Sequence, residues 1–207
     1  MRKQLTIITP TYDYQRFKSV VQRGIASILS QGAHDFDVRH IVVFDGAIDP
    51  DFHVDNLPDW YRVEAYETPA TNVWGIAQRN FGMSLVGQGW VWFFDHDNIL
   101  LPSAFSDVSK ELDSETGVLI VRAKHIHANE KVFAKSGDKI IPVDLEHSPK
   151  YSDIDSLNFI INSSIVGFAE WQEKWGHDFL FVQNIVTISH LIGLRIKRID
   201  VVVGEHS

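Results

Sequence analysis

Between Gly89 and Pro102 the chain reads GWVWFFDHDNILLP, and this segment carries the strongest structural signal in the sequence. Its apolar run, Trp90–Phe94, is unbroken, which is typical of a strand buried on both faces of a sheet. Asp95 and Asp97 follow directly, and a proline at position 102 favours the first turn of a helix. In an open α/β sheet, a turn between such a strand and such a helix lies at the carboxyl ends of the strands, where ligands bind.

The two aspartates of this acidic turn (residues 95–97) have the chemistry of a metal site. Carboxylate oxygens are ligands of Mg²⁺ and Mn²⁺, above all when the cation also carries phosphate groups. Acid-x-acid pairs also occur in ordinary solvated turns. The motif by itself therefore leaves both interpretations open.

Composition limits the classes of protein to consider. A chain of 207 residues fits one large domain or two small ones, and with 44% hydrophobic residues it can bury a sizeable core. The net charge of −8 argues against nucleic acid and against a polybasic membrane patch, because both need clustered Lys and Arg. Cysteine is absent, which excludes disulfides and thiolate chemistry and is compatible with a reducing compartment.

The sequence gives no targeting or membrane signal. The first apolar stretch, residues 5–9, is too short for the core of a signal peptide. No apolar run reaches the roughly 18 residues that a membrane span needs. We therefore expect a cytoplasmic protein with no membrane span.

The first part of the chain alternates between strand and helix patterns. Strands are predicted at residues 5–9, 38–44, 61–66, 90–94 and 118–123, and helices at 16–31, 74–87 and 102–112. This alternation predicts an α/β fold with a mainly parallel central sheet and helices on both faces.

The second part is more irregular. We predict a hairpin over 132–143, strands at 158–162 and 165–168, a short helix or loop at 169–175, a helix at 179–192 and one or two strands within 196–203. Asp178 is placed as the cap or the first-turn acid of that helix. We interpret the chain as one domain, residues 1–207, with a nucleotide-type half (1–123) and an acceptor-type half (124–207).

Polar groups follow three of the early strands. The strand ends carry Thr9–Thr11, Asp45–Gly46 and the acidic turn. Because the carboxyl ends of parallel strands meet at one edge of a sheet, a ligand lying along that edge would touch all three.

Five segments resemble, in order, the motifs of the family 2 glycosyltransferases, which are inverting enzymes of the GT-A (nucleotide-diphospho-sugar transferase) fold. They are 7–12 (opening strand and turn), 42–49 (second-strand motif), 78–82 (Ala-Arg-Asn-x-Gly segment), 93–102 (the acid-x-acid, or DXD, metal turn) and 176–179 (catalytic Glu-Asp segment). The resemblance covers nearly the whole chain except 124–156. Two positions depart from the family pattern: Phe44 replaces the first Asp of the second-strand motif, and His177 replaces the usual Glu.

The resemblance implies a nucleotide site formed by Thr9, Pro10, Thr11, Tyr12, Asp45, Arg79, Asp95 and His96. In it, Asp45 would accept from a base N–H such as uracil offers, and Thr11 would bind the base or ribose. The alternatives are a turn residue for Asp45, a local turn bond for Thr11 and a solvated helix cation for Arg79.

The resemblance also implies a divalent cation. Asp97 would ligate it directly, and Asp95 would bind the ribose, or the metal through water. His206 would supply a further ligand if the tail folds back, and an imidazole favours Mn²⁺ over Mg²⁺. The alternative for His206 is a disordered chain end.

Catalysis would fall to Asp178 as the general base that takes the proton of the acceptor hydroxyl. The alternative is a plain helix cap. Trp171, Trp175 and His177 would line the acceptor site, although aromatic residues serve more often in core packing.

The function implied is metal-dependent, inverting transfer of a sugar from a nucleotide-diphosphate donor, such as a UDP-sugar, to a hydroxyl of a saccharide or other acceptor, in polysaccharide or glycoconjugate synthesis. Two alternatives stay open: a non-catalytic nucleotide- or carbohydrate-binding module, and a sugar-nucleotide nucleotidyltransferase. The second would need a Gly-rich basic loop after the first strand, where this chain has TPTY. The absence of a G-x-G-x-x-G motif after any strand argues against a Rossmann dehydrogenase.

Overall fold

The computed structural model describes residues 2–32, 35–71, 73, 75–125, 139–140, 154–174 and 176–206, and for residues 125, 139, 140 and 206 it describes the backbone alone. The first part of the chain forms β1 (Lys3–Thr11), α1 (Tyr14–Leu29), β2 (Phe36–Asp45), β3 (Tyr61–Thr68), α2 (Ile76–Ser84), β4 (Trp90–Phe93), β5 (Asn98–Leu100), α3 (Ala104–Glu111) and β6 (Thr116–His125). The second part forms β7 (Lys139–Ile140), a 3-10 turn (Ser156–Asn158), β8 (Phe159–Asn162), α4 (Ser163–Val166), α5 (His177–Leu191) and β9 (Arg195–His206).

The described strands join in one sheet, in the order β3-β2-β1-β4-β8-β6-β9-β5, with β7 paired to β6. Strands β3, β2, β1 and β4 are parallel neighbours, so Ile7 pairs with His40 on one side and with Trp92 on the other. This confirms the parallel arrangement predicted for the early strands. The second half mixes directions, because β8 runs antiparallel to both β4 and β6 whereas β6 and β9 are parallel.

Helices cover both faces of the sheet, as predicted. Alternate residues of β4 enter different cores: Trp92 belongs to the cluster that contains α1 and α3, whereas Phe93 belongs to the cluster that contains α2 and α5. Ile28 of α1 and Ile185 of α5 are both fully buried, one in each cluster. Each such side chain stabilises the fold by roughly 1.5–3 kcal/mol relative to exposure to water.

Several predicted elements differ from those observed. The strand predicted at 165–168 is wrong, because 163–166 form a helical turn that Asn162 caps by accepting from the Ser164 amide at 3.0 Å. Helix α3 begins at Ala104 rather than Pro102, after Ser103 as its N-cap. The predicted hairpin at 132–143 lies outside the described residues except for β7, which pairs with the end of β6.

In the part of the chain that the structure describes, no helix combines the length and apolarity required to cross a bilayer.

Candidate active site

The three strand ends expected to carry polar groups do meet at one edge of the sheet. Thr11 ends β1, Asp45 ends β2 next to it, and the acidic turn follows β4 on the other side of β1. Helices α2 and α5 contribute side chains to the same edge, among them Arg79 of α2, which pairs with Asp95, and His177 of α5, which the charges of Arg79 and Asp95 affect. The sheet therefore brings together residues that lie far apart in the sequence.

Arg79 is the centre of this edge. Its side chain is only 4% exposed, and its Nη2 donates to Asp95 Oδ1 at 2.5 Å. The guanidinium also lies over the ring of Trp171, 4.7 Å from the centroid. Burial lowers the pKa of Arg79, but the negative charges of Asp95, Asp178 and Asp155 outweigh that effect and leave the pKa raised. Arg79 is thus a buried, paired cation and not the solvated one of the alternative interpretation.

Asp95 is held from a second direction by Ser156. The Ser156 hydroxyl donates to Asp95 Oδ2 at 2.9 Å. Ser156 lies in the 3-10 turn, which Asp155 caps by accepting a hydrogen bond from the Leu157 amide. Trp92 of β4 holds the same turn, because its Nε1 donates to the Leu157 carbonyl at 3.0 Å. Sequence reasoning missed Ser156, although the Asp155-x-x-Asn158 capping pattern marked the turn that carries it.

Asp45 is also fixed by neighbours. Its Oδ1 accepts from the Thr71 amide at 2.6 Å and from Gln78 Nε2 at 2.9 Å, and Gln78 donates further to Thr68 Oγ1 at 2.8 Å. Gln78 is fully buried and immediately precedes Arg79. One turn of α2 therefore positions both acidic strand ends, and the contribution of Gln78 was not predicted.

The four residues predicted from the end of β1 have different environments. The Thr9 hydroxyl is buried and bonded within the protein, to the Phe94 carbonyl at 2.7 Å and to His40 Nε2 at 2.8 Å. Pro10 packs against Gly75. Thr11 is 1% exposed, and its hydroxyl has no hydrogen-bond partner among the described residues. An orphaned hydroxyl in that position is consistent with a ligand contact.

Tyr12 and His96 form the open surface of the edge. Tyr12 is 50% exposed, and its ring meets the ring of His96 edge to face at 5.2 Å. Phe17 of α1 packs against both rings. The aromatic pair joins the end of β1 to the acidic turn, so a planar group bound along the edge would lie beside it.

Helix α5 begins at the site with His177 and Asp178. Gly176 adopts the left-handed conformation before it, at φ 78°. His177 Nε2 lies 3.5 Å from Asp178 Oδ2, and burial together with the charge of Arg79 lowers the pKa of His177, against the opposing effect of Asp95 and Asp155. Since the charge of Asp178 raises the pKa of Arg79, the predicted base and the acidic turn share one cation.

The two tryptophans predicted for the acceptor site are not equivalent. Trp171 is 1% exposed and stacks on Phe181 with ring centroids 4.1 Å apart, so it packs in the core and does not offer an open face to a sugar. Asn80 fixes its backbone, donating to the Trp171 carbonyl and accepting from its amide, both at 2.9 Å. Trp175 lies outside the described residues.

The acidic turn offers a limited set of donors to a divalent cation. Asp97 is partly exposed in the turn, and the backbone of His206 pairs with Asn98, so the tail folds back beside the turn as its predicted role requires. Among the side chains that the structure describes, no three His, Asp or Glu come together as a complete metal site. The Asp97 carboxylate suits a cation that takes most of its oxygens from a bound diphosphate.

Comparison with protein families gives the class. The model of the family described as Glycosyl transferase family 2 matches residues 6–170, and the chain belongs to that family. A search of curated proteins found no match.

Solved structures share the fold at low sequence identity. TarS of S. aureus (residues 1–349) is 16% identical with a TM-score of 0.71, and the alignment covers 100% of this chain and 60% of that one. The same protein in complex with UDP gives a TM-score of 0.72 at 16% identity, covering 99% of this chain and 60% of that one. The mannosyltransferase PcManGT from Pyrobaculum calidifontis, in complex with GDP-Man and Mn²⁺, is 14% identical with a TM-score of 0.67, covering 100% and 57%. The chain thus spans less than two thirds of these proteins, and the predicted GT-A fold is confirmed.

Proposed function

We propose that this chain is a metal-dependent, inverting glycosyltransferase that moves a sugar from a nucleotide-diphosphate donor to an acceptor hydroxyl. The observation that carries the proposal is the buried Arg79, which binds Asp95 of the acidic turn and is influenced by the charge of Asp178. A donor-binding turn and a candidate base are thereby joined in one charged cluster. The family assignment supports the same reaction class.

The donor would lie along the edge formed by β1, β2 and the acidic turn. We assign the base and ribose to Thr11, Tyr12 and Asp45, and we propose uridine because Asp45 offers an acceptor for the uracil N–H. Residues 1–123 would form this donor half, and 124–207 the acceptor half. We further propose that the protein acts in polysaccharide or glycoconjugate synthesis and that it is cytoplasmic.

Asp97 and His206 would hold Mn²⁺ or Mg²⁺ at the tip of β4. When bound, the cation would neutralise the charge that develops on the departing diphosphate. Asp95 has a different task, because Arg79 and Ser156 bind its two oxygens and so fix the orientation of the turn.

Asp178 would act as the general base. It would accept the proton of the acceptor hydroxyl while that oxygen bonds to the anomeric carbon and the diphosphate leaves from the opposite face, which inverts the configuration. The positive charge of Arg79 and the amino end of α5 both favour the carboxylate form that a base requires.

Replacing Asp178 by Asn tests this role. The change keeps the size of the side chain and removes its basicity, so we expect sugar transfer to fall by about 10²–10⁴-fold. Binding of UDP with Mn²⁺, measured by calorimetry, is expected to stay within about threefold, because uniform binding does not depend on the base. Transfer is measured as UDP release from UDP-sugars with a panel of saccharides.

Asp107→Asn is the matched control, since Asp107 is the first-turn acid of α3, a helix in the other core cluster. It should transfer sugar at the wild-type rate. An Asp178→Asn enzyme that is equally active would exclude Asp178 as the base. Nucleotide binding without transfer in the unmodified protein would support a non-catalytic module.

A panel of UDP-, GDP- and dTDP-sugars tests the donor and the metal. We expect UDP-sugars with Mn²⁺ to raise the melting temperature, since a ligand that binds only the folded state stabilises it. The rise should disappear in Asp97→Asn and persist in Asp107→Asn. If no nucleotide stabilises the protein with metal present, the proposed function is wrong.

A further inference from the structure

A buried chain of hydrogen bonds runs beneath the acidic turn. The Tyr61 hydroxyl lies 2.6 Å from His40 Nδ1, His40 Nε2 lies 2.8 Å from Thr9 Oγ1, and Thr9 Oγ1 donates to the Phe94 carbonyl at 2.7 Å. Tyr61, His40 and Thr9 are all at most 3% exposed. The chain crosses β3, β2 and β1 and ends on the residue before Asp95.

The direction of each bond follows from the last one. Thr9 has a single hydroxyl proton, which goes to the Phe94 carbonyl, so Thr9 must accept from His40 Nε2–H. His40 Nδ1 then carries no proton and accepts from the Tyr61 hydroxyl. Burial agrees with this assignment, because it lowers the pKa of His40 to about 3 and raises that of Tyr61, leaving both groups neutral.

The Phe94 carbonyl matters because of peptide geometry. The carbonyl oxygen of Phe94 and the Cα of Asp95 belong to the same planar peptide unit. The Phe94 amide is already bonded to the Ile8 carbonyl at 3.0 Å. The bond from Thr9 therefore fixes the plane from which the Asp95 side chain projects towards Arg79.

We propose that Thr9 is a positioning residue, which fixes the conformation of the acidic turn through its hydrogen bond to the Phe94 carbonyl and does not touch the nucleotide. His40 and Tyr61 orient the Thr9 hydroxyl through the hydrogen-bond chain. This hydroxyl already donates once and accepts once within the protein, whereas the Thr11 hydroxyl has no partner among the described residues. The link to donor affinity rests on the proposed function, whereas the link to the geometry of the turn does not.

Three variants of β1 test the proposal. Thr9→Val keeps the shape and removes the hydroxyl, whereas Thr9→Ser keeps the hydroxyl. Thr6→Val removes the hydroxyl of another buried threonine of the same strand. Calorimetry with UDP and Mn²⁺ should give an affinity about 10–100-fold lower for Thr9→Val, because the turn that carries the proposed metal ligand Asp97 is then held less firmly, and losing a group that orients a metal ligand has that magnitude. Thr9→Ser and Thr6→Val should stay within about threefold of the unmodified protein.

Tyr61→Phe separates positioning from direct contact. Since it frees His40 to adopt either tautomer, it should weaken affinity in the same direction as Thr9→Val, by a smaller factor. If Tyr61→Phe binds normally and Thr9→Val does not, Thr9 touches the nucleotide and the proposal is overturned. If Thr9→Ser or Thr6→Val lowered the affinity for UDP as much as Thr9→Val does, the proposal would also be overturned, because changes in packing would then explain the lower affinity.

Hydrogen exchange provides a measurement that needs no ligand. The Asn98 amide donates to the Asp95 carbonyl at 2.9 Å across the acidic turn. We expect this amide to exchange faster in Thr9→Val than in Thr6→Val or the unmodified protein. Unchanged exchange would contradict the positioning role even if the protein bound no nucleotide, so the two proposals fail by different results.

Discussion

Arg79 and Arg62 both form ion pairs with carboxylates, and their environments differ greatly. Arg79 pairs with Asp95 with 4% and 17% of the two side chains exposed, whereas Arg62 pairs with Glu64 while 68% exposed. Replacing Arg79 by Met removes the cation and leaves Asp95 and Asp178 without their shared positive charge. We expect the free energy of unfolding to fall by about 3–5 kcal/mol, the range for breaking a buried pair. Denaturation in urea measures it.

Arg62→Met is the control for that experiment. An exposed pair is screened by water, so its loss should change the free energy of unfolding by less than about 1 kcal/mol. Equal effects of the two substitutions would mean that the buried pair adds no more than a surface one. That result would remove the basis for treating Arg79 as the organising cation of the site.

At the scale of secondary structure, the close approach of α2 to β1 places Gln78 and Arg79. A Cβ on Gly82 would lie 2.6 Å from Ile8 Cγ2, and Ile8 is completely buried. Gly82→Ala should therefore push the helix away from the strand and lower the free energy of unfolding by about 1–3 kcal/mol, despite the better helix propensity of Ala. Affinity for UDP with Mn²⁺ should fall as well, since both positioning side chains move with α2.

Gly87→Ala gives the comparison, because a Cβ there meets no atom within 4 Å. Chemical denaturation should place this variant within about 0.5 kcal/mol of the unmodified protein. A Gly82→Ala protein as stable as Gly87→Ala would mean that α2 and β1 accommodate the extra methyl group without moving.

At the scale of the whole molecule, His40 makes stability depend on pH. Its pKa is lowered by burial from 6.5 to about 3, so the unfolded chain binds a proton that the folded protein excludes. The contribution is fully present above about pH 6.5 and is lost as pH falls towards 3, with a slope of at most about 1.4 kcal/mol per pH unit. Unfolding free energies measured from pH 7 to pH 4 should decline less steeply in His40→Gln.

His53 is the matched control, since its side chain is 66% exposed. His53→Gln should keep the slope of the unmodified protein, because folding does not remove so exposed a side chain from water. Identical slopes for His40→Gln and the unmodified protein would show that His40 is protonated in the folded state, contrary to its neutral role beneath the acidic turn.

The sequence predicted the parts of the fold that depend on local pattern. An unbroken apolar run located β4, a largely apolar stretch located β2, and helical spacing located α1 and α5 to within a few residues. Strand β5 was not predicted, because three residues have no period of their own and form a strand only by pairing with β9. Strand propensity misled at 165–168, where the Asn162 cap gives a helical turn.

In the candidate site, too, the sequence predicted local features but not the contacts between distant residues. The polar ends of the early strands placed Thr11, Asp45 and Asp95 at one edge, since strand ends are local features. The sequence did not reveal that Thr9 bonds inward to Phe94, that Gln78 reaches Asp45 or that Ser156 reaches Asp95. These contacts depend on the direction of side chains and on neighbours that are distant in the chain, and neither has a signature in residue spacing.

The pairing of β5 with β9 has a consequence for the order of events during synthesis. Leu100 pairs with Gly204, and Asn98 pairs with His206. Ribosomes add about 5–20 residues per second, so the segment after the acidic turn waits several seconds for its partner strand to emerge. The parallel strands β1 to β4 can associate in that interval, whereas β5 gains its partner only after β9 has been synthesised. Newly made chains should therefore assemble the parallel strands β1 to β4 before they acquire the ability to hold a ligand.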